Sequence, residues 1–198
     1  FKGKLNYGSG EKARLAGRIT GQGLAVRQGP VSITNIAVAS DVKLDPEYLS
    51  LTDLRVDALD GRFDGAFELH GFKKYEVKGK VTGLSVAALS KVAAVKENSF
   101  SGFVSGPVQV TGTLDRASDL KAAGRLQVTA GSGGVPITGF VEVAYSARGK
   151  TLQLGGSYLT LPSSRVDFNG TLGQQLTVRL ESKDLNDFTP VIASITGT

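Results

Sequence analysis

Few residues in this chain are equipped for chemistry. His70 is the single histidine among 198 residues and Cys is absent, which excludes disulfides, thiolate metal sites and a thiol nucleophile. A Ser–His–acid triad would have to use His70, yet no G-x-S-x-G stands near it and it occupies an outward position of GRFDGAFELHG. Asp57, Asp60 and Asp64 are spaced by 3 and 4, unlike the D-x-D-x-D-G of a calcium loop, and Asp57 and Asp60 read instead as closing a turn. GSGG at 131–134 lacks the Lys and following helix of a phosphate loop, and Asn169-Gly170-Thr171 is a sequon in form only. Carboxylate pairs for glycoside hydrolysis would meet only in the fold, and without Trp a sugar-stacking cleft is poorly supplied. The remaining polar pair is Arg165 and Asp167 in SSRVDFNGTLGQQLTV, which raises the question whether they form a site or the wet side of a strand. No catalytic residue, no metal and no cofactor is expected.

The elements that position these residues are strands. In GRFDGAFELHG the apolar Phe63, Phe67 and Leu69 take odd positions while Arg62, Asp64, Glu68 and His70 take even ones, the period of a half-buried strand. GPVQVTGTL, GRLQVTA, GFVEVAY and QLTVRL repeat the pattern, and HGFKKYEVKGKV sets most of Lys73, Lys74, Lys78 and Lys80 against the phase of its apolar residues. Punctuation by 26 glycines, with GSGEKA, GQG, DPE, GSGG and SARGK between the runs, reads as turns joining about a dozen or more antiparallel strands. One segment breaks the period: Leu84, Ala88, Val92 and Val95 follow helical spacing with Ser85 as N-cap, predicting a short helix over about 85–96.

An internal repeat organises the chain. LSLTDLRVDALDGRFD (49–64) lies over LQLGGSYLTLPSSRVD (152–167) at a shift of 103, matching Arg62 to Arg165 and Asp64 to Asp167. YEVKGKVTGLS (75–85) lies over LTVRLESKDLN (176–186) at a shift of 101, and the step at 16–19 recurs at 123–126. The expected organisation is a first β-repeat over 1–99 and a second over 100–198, continuous in one groove, with a second helix beginning after Asn186.

Charge and hydropathy bound the partners. The net charge of +5 permits attraction to anionic surfaces, but the basic residues are spread and no recognition helix or aromatic binding signature accompanies them, so nucleic acid is not expected. No apolar run reaches the ~18 residues of a membrane span; the longest, LSVAALSKVAAV at 84–95, contains Lys91. With Phe1 first and no Met, the chain reads as a soluble piece of a longer protein.

The strands of GPVQVTGTLDRASDLKAAGRLQV, the step KVTGLSVAALSKVA and the closing LTLPSSRVDFNGTLGQQLTVRLESKDLNDF resemble the TamB/AsmA-like family of bacterial envelope proteins over nearly the whole chain. The resemblance implies an all-β fold with one or two short helices, built as an elongated, U-shaped antiparallel sheet with an apolar interior. It further implies an inner-membrane anchor outside this chain, a periplasmic location and transport of phospholipids towards the outer membrane with their acyl chains in the groove. Help in outer-membrane β-barrel assembly, with a barrel protein as partner, is the other role it implies.

On this reading the groove of the first repeat is lined by Leu51, Val56, Phe63, Phe67, Leu69, Tyr75, Val77 and Val81. The second repeat supplies Val108, Val110, Leu126, Val128, Val141, Val143, Leu154, Leu159, Val166, Phe168, Leu172, Val178 and Leu180. The same alternation is written by a closed β-sandwich, in which these side chains pack only on one another, and an adhesive or carbohydrate-binding sandwich is the alternative of another class.

Overall fold

A computed structural model describes residues 2–6, 14–28, 31–92 and 100–188. The strands are β1 (Lys2–Asn6), β2 (Arg14–Gln28), β3 (Val31–Asp45), β4 (Tyr48–Ala58), β5 (Gly61–His70) and β6 (Lys74–Ser85), followed by helix α1 (Val86–Val92). Then come β7 (Phe100–Thr113), β8 (Arg116–Ala130), β9 (Val135–Pro136), β10 (Thr138–Ser146), β11 (Thr151–Thr160), β12 (Ser164–Leu172) and β13 (Leu176–Ser182), with a 3-10 turn over Leu185–Phe188. They form one 13-stranded sheet in simple sequence order, every neighbouring pair antiparallel except the two-residue β9, which pairs parallel to the start of β7.

The sheet is open. Every extensive strand–strand contact is between hydrogen-bonded neighbours, so no second sheet faces the first and the closed sandwich is not formed. Only nine apolar side chains are buried among the described residues. The surface of 12849 Å² exceeds the roughly 8,900 Å² of a compact monomer of this mass.

A band of irregularities crosses the middle of the sheet. The register shifts between Gly21 and Leu24 in β2, at Ser40 in β3, between Leu51 and Leu54 in β4, between Val81 and Leu84 in β6, and between Leu154 and Ser157 in β11. Each extra residue bends its strand, and bends aligned on neighbouring strands crease the sheet along a line that crosses them. Ser40 is fully buried at one bulge, where its hydroxyl donates to the Thr52 carbonyl at 2.8 Å. Ser157 occupies another, accepting from the Glu142 amide at 2.9 Å. The shift of 103 carries the bulge between Leu51 and Leu54 onto that between Leu154 and Ser157.

Three sequence expectations are refined. GQG at 21–23 does not reverse the chain: Gly23, at φ +64°, absorbs a bulge inside β2 instead of making a turn. Asp57 lies within β4, paired across to Arg62, and only Asp60 joins the turn, where Leu59 and Asp60 both take positive φ, +54° and +61°. Helix α1 spans Val86–Val92 with Ser85 capping it, its hydroxyl accepting from the Ala88 amide at 3.3 Å; residues 93–96 of the expected helix lie outside the described residues. A 3-10 turn spans Leu185–Phe188, and the second helix expected after Asn186 falls almost wholly outside the described residues, as does GSGEKA at 8–13.

Candidate functional site: an uncovered apolar face

Cross-strand register assigns each side chain to a face, because directly paired residues project to the same side. Phe63 pairs with Val81, Phe67 with Val77 and Leu69 with Tyr75 across β5 and β6. Leu51 pairs with Phe67 and Val56 with Phe63. Val77 continues to Val110, and β8 continues the face through Val128 opposite Val104. Val141 opposes Leu126, Val143 opposes Leu154, Leu159 opposes Val166, and Phe168 and Val166 oppose Val178 and Leu180. Leu172 opposes Leu152, and Val108 opposes Gly79 and Gly124. All the residues named from the sequence as groove-lining therefore share one face.

Twelve strands stand side by side in this face, which at about 4.8 Å per strand makes an apolar strip roughly 50 Å long. Leu54, Leu69 and Val81 are buried although no second layer covers them. Burial without a cover requires side chains that lean over one another, which a concave face supplies.

Glycine shapes the floor. Gly65 and Gly79 pair across β5 and β6, and a Cβ at either position would meet the Phe63 ring at 2.6 Å. Phe63 thus lies flat over the pair instead of standing into the trough, and Tyr75 lies in the same way over Gly112, its cross-strand partner.

One end of the strands is covered. Val104, Val128, Ile137 and Leu161 form a buried cluster against which Leu84 at the end of β6, Val86 and Leu89 of α1, Val135, Phe188 of the 3-10 turn and the face residues Leu126, Val141, Leu159 and Val166 are packed. Ile137 reaches the cluster because Gly102 has no side chain: a Cβ there would stand 3.0 Å from the Ile137 side chain. The Ile137 amide donates to the Ser101 carbonyl at 3.0 Å, fixing the 131–137 excursion over β7. At the opposite ends of β10 and β12, and along β13, the face is bare: Tyr145, Leu172, Val178 and Leu180 are exposed.

The other face is polar and carries Asp57, Asp64, His70, Arg165 and Asp167. Arg165 grips Asp167 through Nε at 3.1 Å and a terminal nitrogen at 2.8 Å, with its guanidinium 4.0 Å over the Tyr158 ring. The hydrogen bonds from Arg165 hold the Asp167 carboxyl below its ordinary pKa. The matched residues Arg62 and Asp64 keep the phase but change partners: Arg62 donates to Asp57 at 2.7 Å and Asp64 accepts from Arg55 at 3.2 Å. Lys74, Lys78 and Lys80 lie on this face opposite Thr113, Gln109 and Pro107. His70 sits against Tyr48 at 4.9 Å and within 3.1 Å of Glu68, exposed, with no nucleophile arranged beside it.

Among the described residues no group of three His, Asp or Glu side chains could hold a metal, and no helix is long and apolar enough to cross a membrane. One open hollow of about 780 Å³ lies beside the β4–β5 turn and α1, with Asp57, Asp60, Arg62 and Lys91 in its wall, and another of about 500 Å³ reaches from Lys78, Gln109, Arg125 and Glu142 to Val108 and Val143 of the apolar face. They form where long charged side chains stand over small residues such as Ala123 and Ala144.

Sequence reasoning missed the part of the apolar face on β2 and β3, where Leu15, Gly17 and Ile19 run opposite Leu44, Val42 and Ser40. It also missed Leu54 and Val104. The signal was present for Leu54: Leu49 and Leu51 are odd, Leu54 and Val56 even, and the change of phase at Thr52-Asp53 is the mark of a bulge. No family model, curated protein or solved structure matches this chain.

Proposed function

We propose that this chain is a segment of a periplasmic bridge that shelters phospholipid acyl chains on its apolar face as they pass between the inner and outer membranes. The observation that carries the reading is a continuous apolar face, in a single open sheet, with no second layer over most of it. A closed core would bury these side chains on each other. An uncovered strip this long needs an apolar occupant, and each methylene transferred to it gains about 0.8 kcal/mol. The absence of a built polar pocket along the strip fits cargo that must slide without being trapped. The sequence resemblance to TamB/AsmA-like proteins supports the same role and supplies the compartment.

The test is photo-crosslinking from Phe67 and Val178 on the apolar face and from Glu68 and Arg179 on the polar face, combined with mass spectrometry of lipids extracted from the purified chain. Acyl chains captured at the first pair only are expected. Labelling at Glu68 and Arg179 without Phe67 and Val178 overturns the assignment. A second reading, a scaffold for outer-membrane β-barrel assembly, is favoured by β13, whose single strand partner among the described residues is β12. Among the described residues no strand pairs with its other backbone edge, and crosslinks from β13 to a client strand would support this reading.

A further inference from the structure

Two neighbouring turns carry apolar side chains where a water-facing turn has no use for them. Phe72, between β5 and β6, is 44% exposed, and Leu114, between β7 and β8, is 61% exposed. The Leu114 amide donates to the Lys73 carbonyl at 2.8 Å, so the two tips form one unit. Phe72 also holds φ +51°, a left-handed conformation that Gly or Asn adopts at less cost than an aromatic residue.

The surroundings are basic. Lys73, Lys74, Arg116, Lys121, Arg148 and Lys150 are all exposed at this end of the strands, against Asp115, Asp119 and, in the β3–β4 turn whose Glu47 carbonyl accepts from the Gly71 amide, Asp45 and Glu47. Lys74, Lys121 and Arg148 share a hollow of about 580 Å³ on the polar side. Asp119 is engaged by Arg148 at 2.7 Å and Thr113 at 3.2 Å, while Glu68 and Glu76 are met by His70 and Lys78. Apolar tips ringed by cations match a bilayer interface, where the tips enter the acyl boundary and the cations meet lipid phosphates. An extended peptide would instead seek the open backbone of a strand edge, and these tips lie in the interior of the strand order.

We propose that the lip formed by the β5–β6 and β7–β8 turns docks on an anionic membrane surface, with Phe72 and Leu114 inserted and Lys73, Lys74, Arg116, Lys121 and Lys150 around them facing the headgroups. Tyr145 and Leu172, exposed on the apolar face at the same ends of the strands, would then lie near the bilayer. The docking does not depend on what the trough carries.

The chain has no Trp, so Phe72→Trp is a clean reporter. Its emission is expected to shift to the blue, and to be quenched by brominated acyl chains, on vesicles containing phosphatidylglycerol but not on phosphatidylcholine alone. Phe103→Trp, on the polar face at the other end of β7 and 40% exposed, is the control and should not shift. Each charge removed by Lys73→Gln or Lys150→Gln should weaken vesicle binding roughly fivefold. Phe72→Asn should abolish docking while raising the unfolding temperature, which separates lost docking from lost fold. No shift at Phe72→Trp, or equal shifts at both reporters, overturns the proposal, as does unchanged vesicle binding by Phe72→Asn. Acyl-chain crosslinks at Phe67 would stand or fall independently of these results.

Discussion

Val128 and Val178 are written into the same kind of strand, in the same phase, on the same face, yet Val128 is 4% exposed and Val178 is 52% exposed. The difference lies outside their own strands. Around Val128 the chain leaves the sheet after β8, crosses over through Val135 and Ile137, and is joined by the start of α1, Leu161 and Phe188. Along β13 no described segment returns. One region is a small conventional core, and the other is an apolar face with no described segment over it. The contrast shows that an apolar strand face becomes a core or a trough according to whether a later segment covers it.

The sharpest way to break the comparison is a charge in each region. Val128→Asp places an unpaired carboxylate in the covered cluster and should cost at least about 3 kcal/mol. Val178→Asp should change stability by less than about 0.5 kcal/mol while abolishing acyl-chain capture. Urea denaturation with lipid extraction reads both, and equal destabilisation would mean that β13 is covered after all.

A smaller effect is expected from removing the cover itself. Ile137→Ala should cost about 2–4 kcal/mol, because the space over Gly102 cannot collapse fully, and should increase binding of a hydrophobic dye. Leu180→Ala should be near neutral, since its side chain is already half exposed.

The smallest effect belongs to the outer side of β12. Asp167 has a depressed folded-state pKa, so its pairing with Arg165 adds stability above the ordinary carboxylate pKa and loses it as pH falls through the lowered value. The difference in unfolding temperature between the natural chain and Arg165→Gln should therefore be present at neutral pH, vanish in acid and shrink in salt. A difference that persisted at low pH would assign Arg165 a packing role over Tyr158 instead.

Much of this architecture was legible beforehand, because a period of two states directly which side chains share a face. The strand count, the cap at Ser85 and the outward phase of Arg165, Asp167 and His70 all follow from local rules that act within a few residues. Bulges were half legible: Leu51 and Val56 differ in parity yet share the apolar face, which is intelligible only once Asp53, at φ +49°, is seen to take up an extra residue. The matched pairs Arg62/Asp64 and Arg165/Asp167 keep their phase but not their partners, since long exposed side chains choose among acceptors by geometry that spacing does not encode.

The sequence by itself determined which side of each strand is dry, for that is a matter of one residue and its alternate neighbours. Only the tertiary structure decided what dries it. The single layer, the alignment of bends across separate strands and the return of 131–137 over Gly102 depend on contacts between residues far apart in the chain. An alternating pattern is equally satisfied by another sheet, by a crossing loop or by a guest, and the physics of apolar burial does not distinguish among them until the chain has run its course.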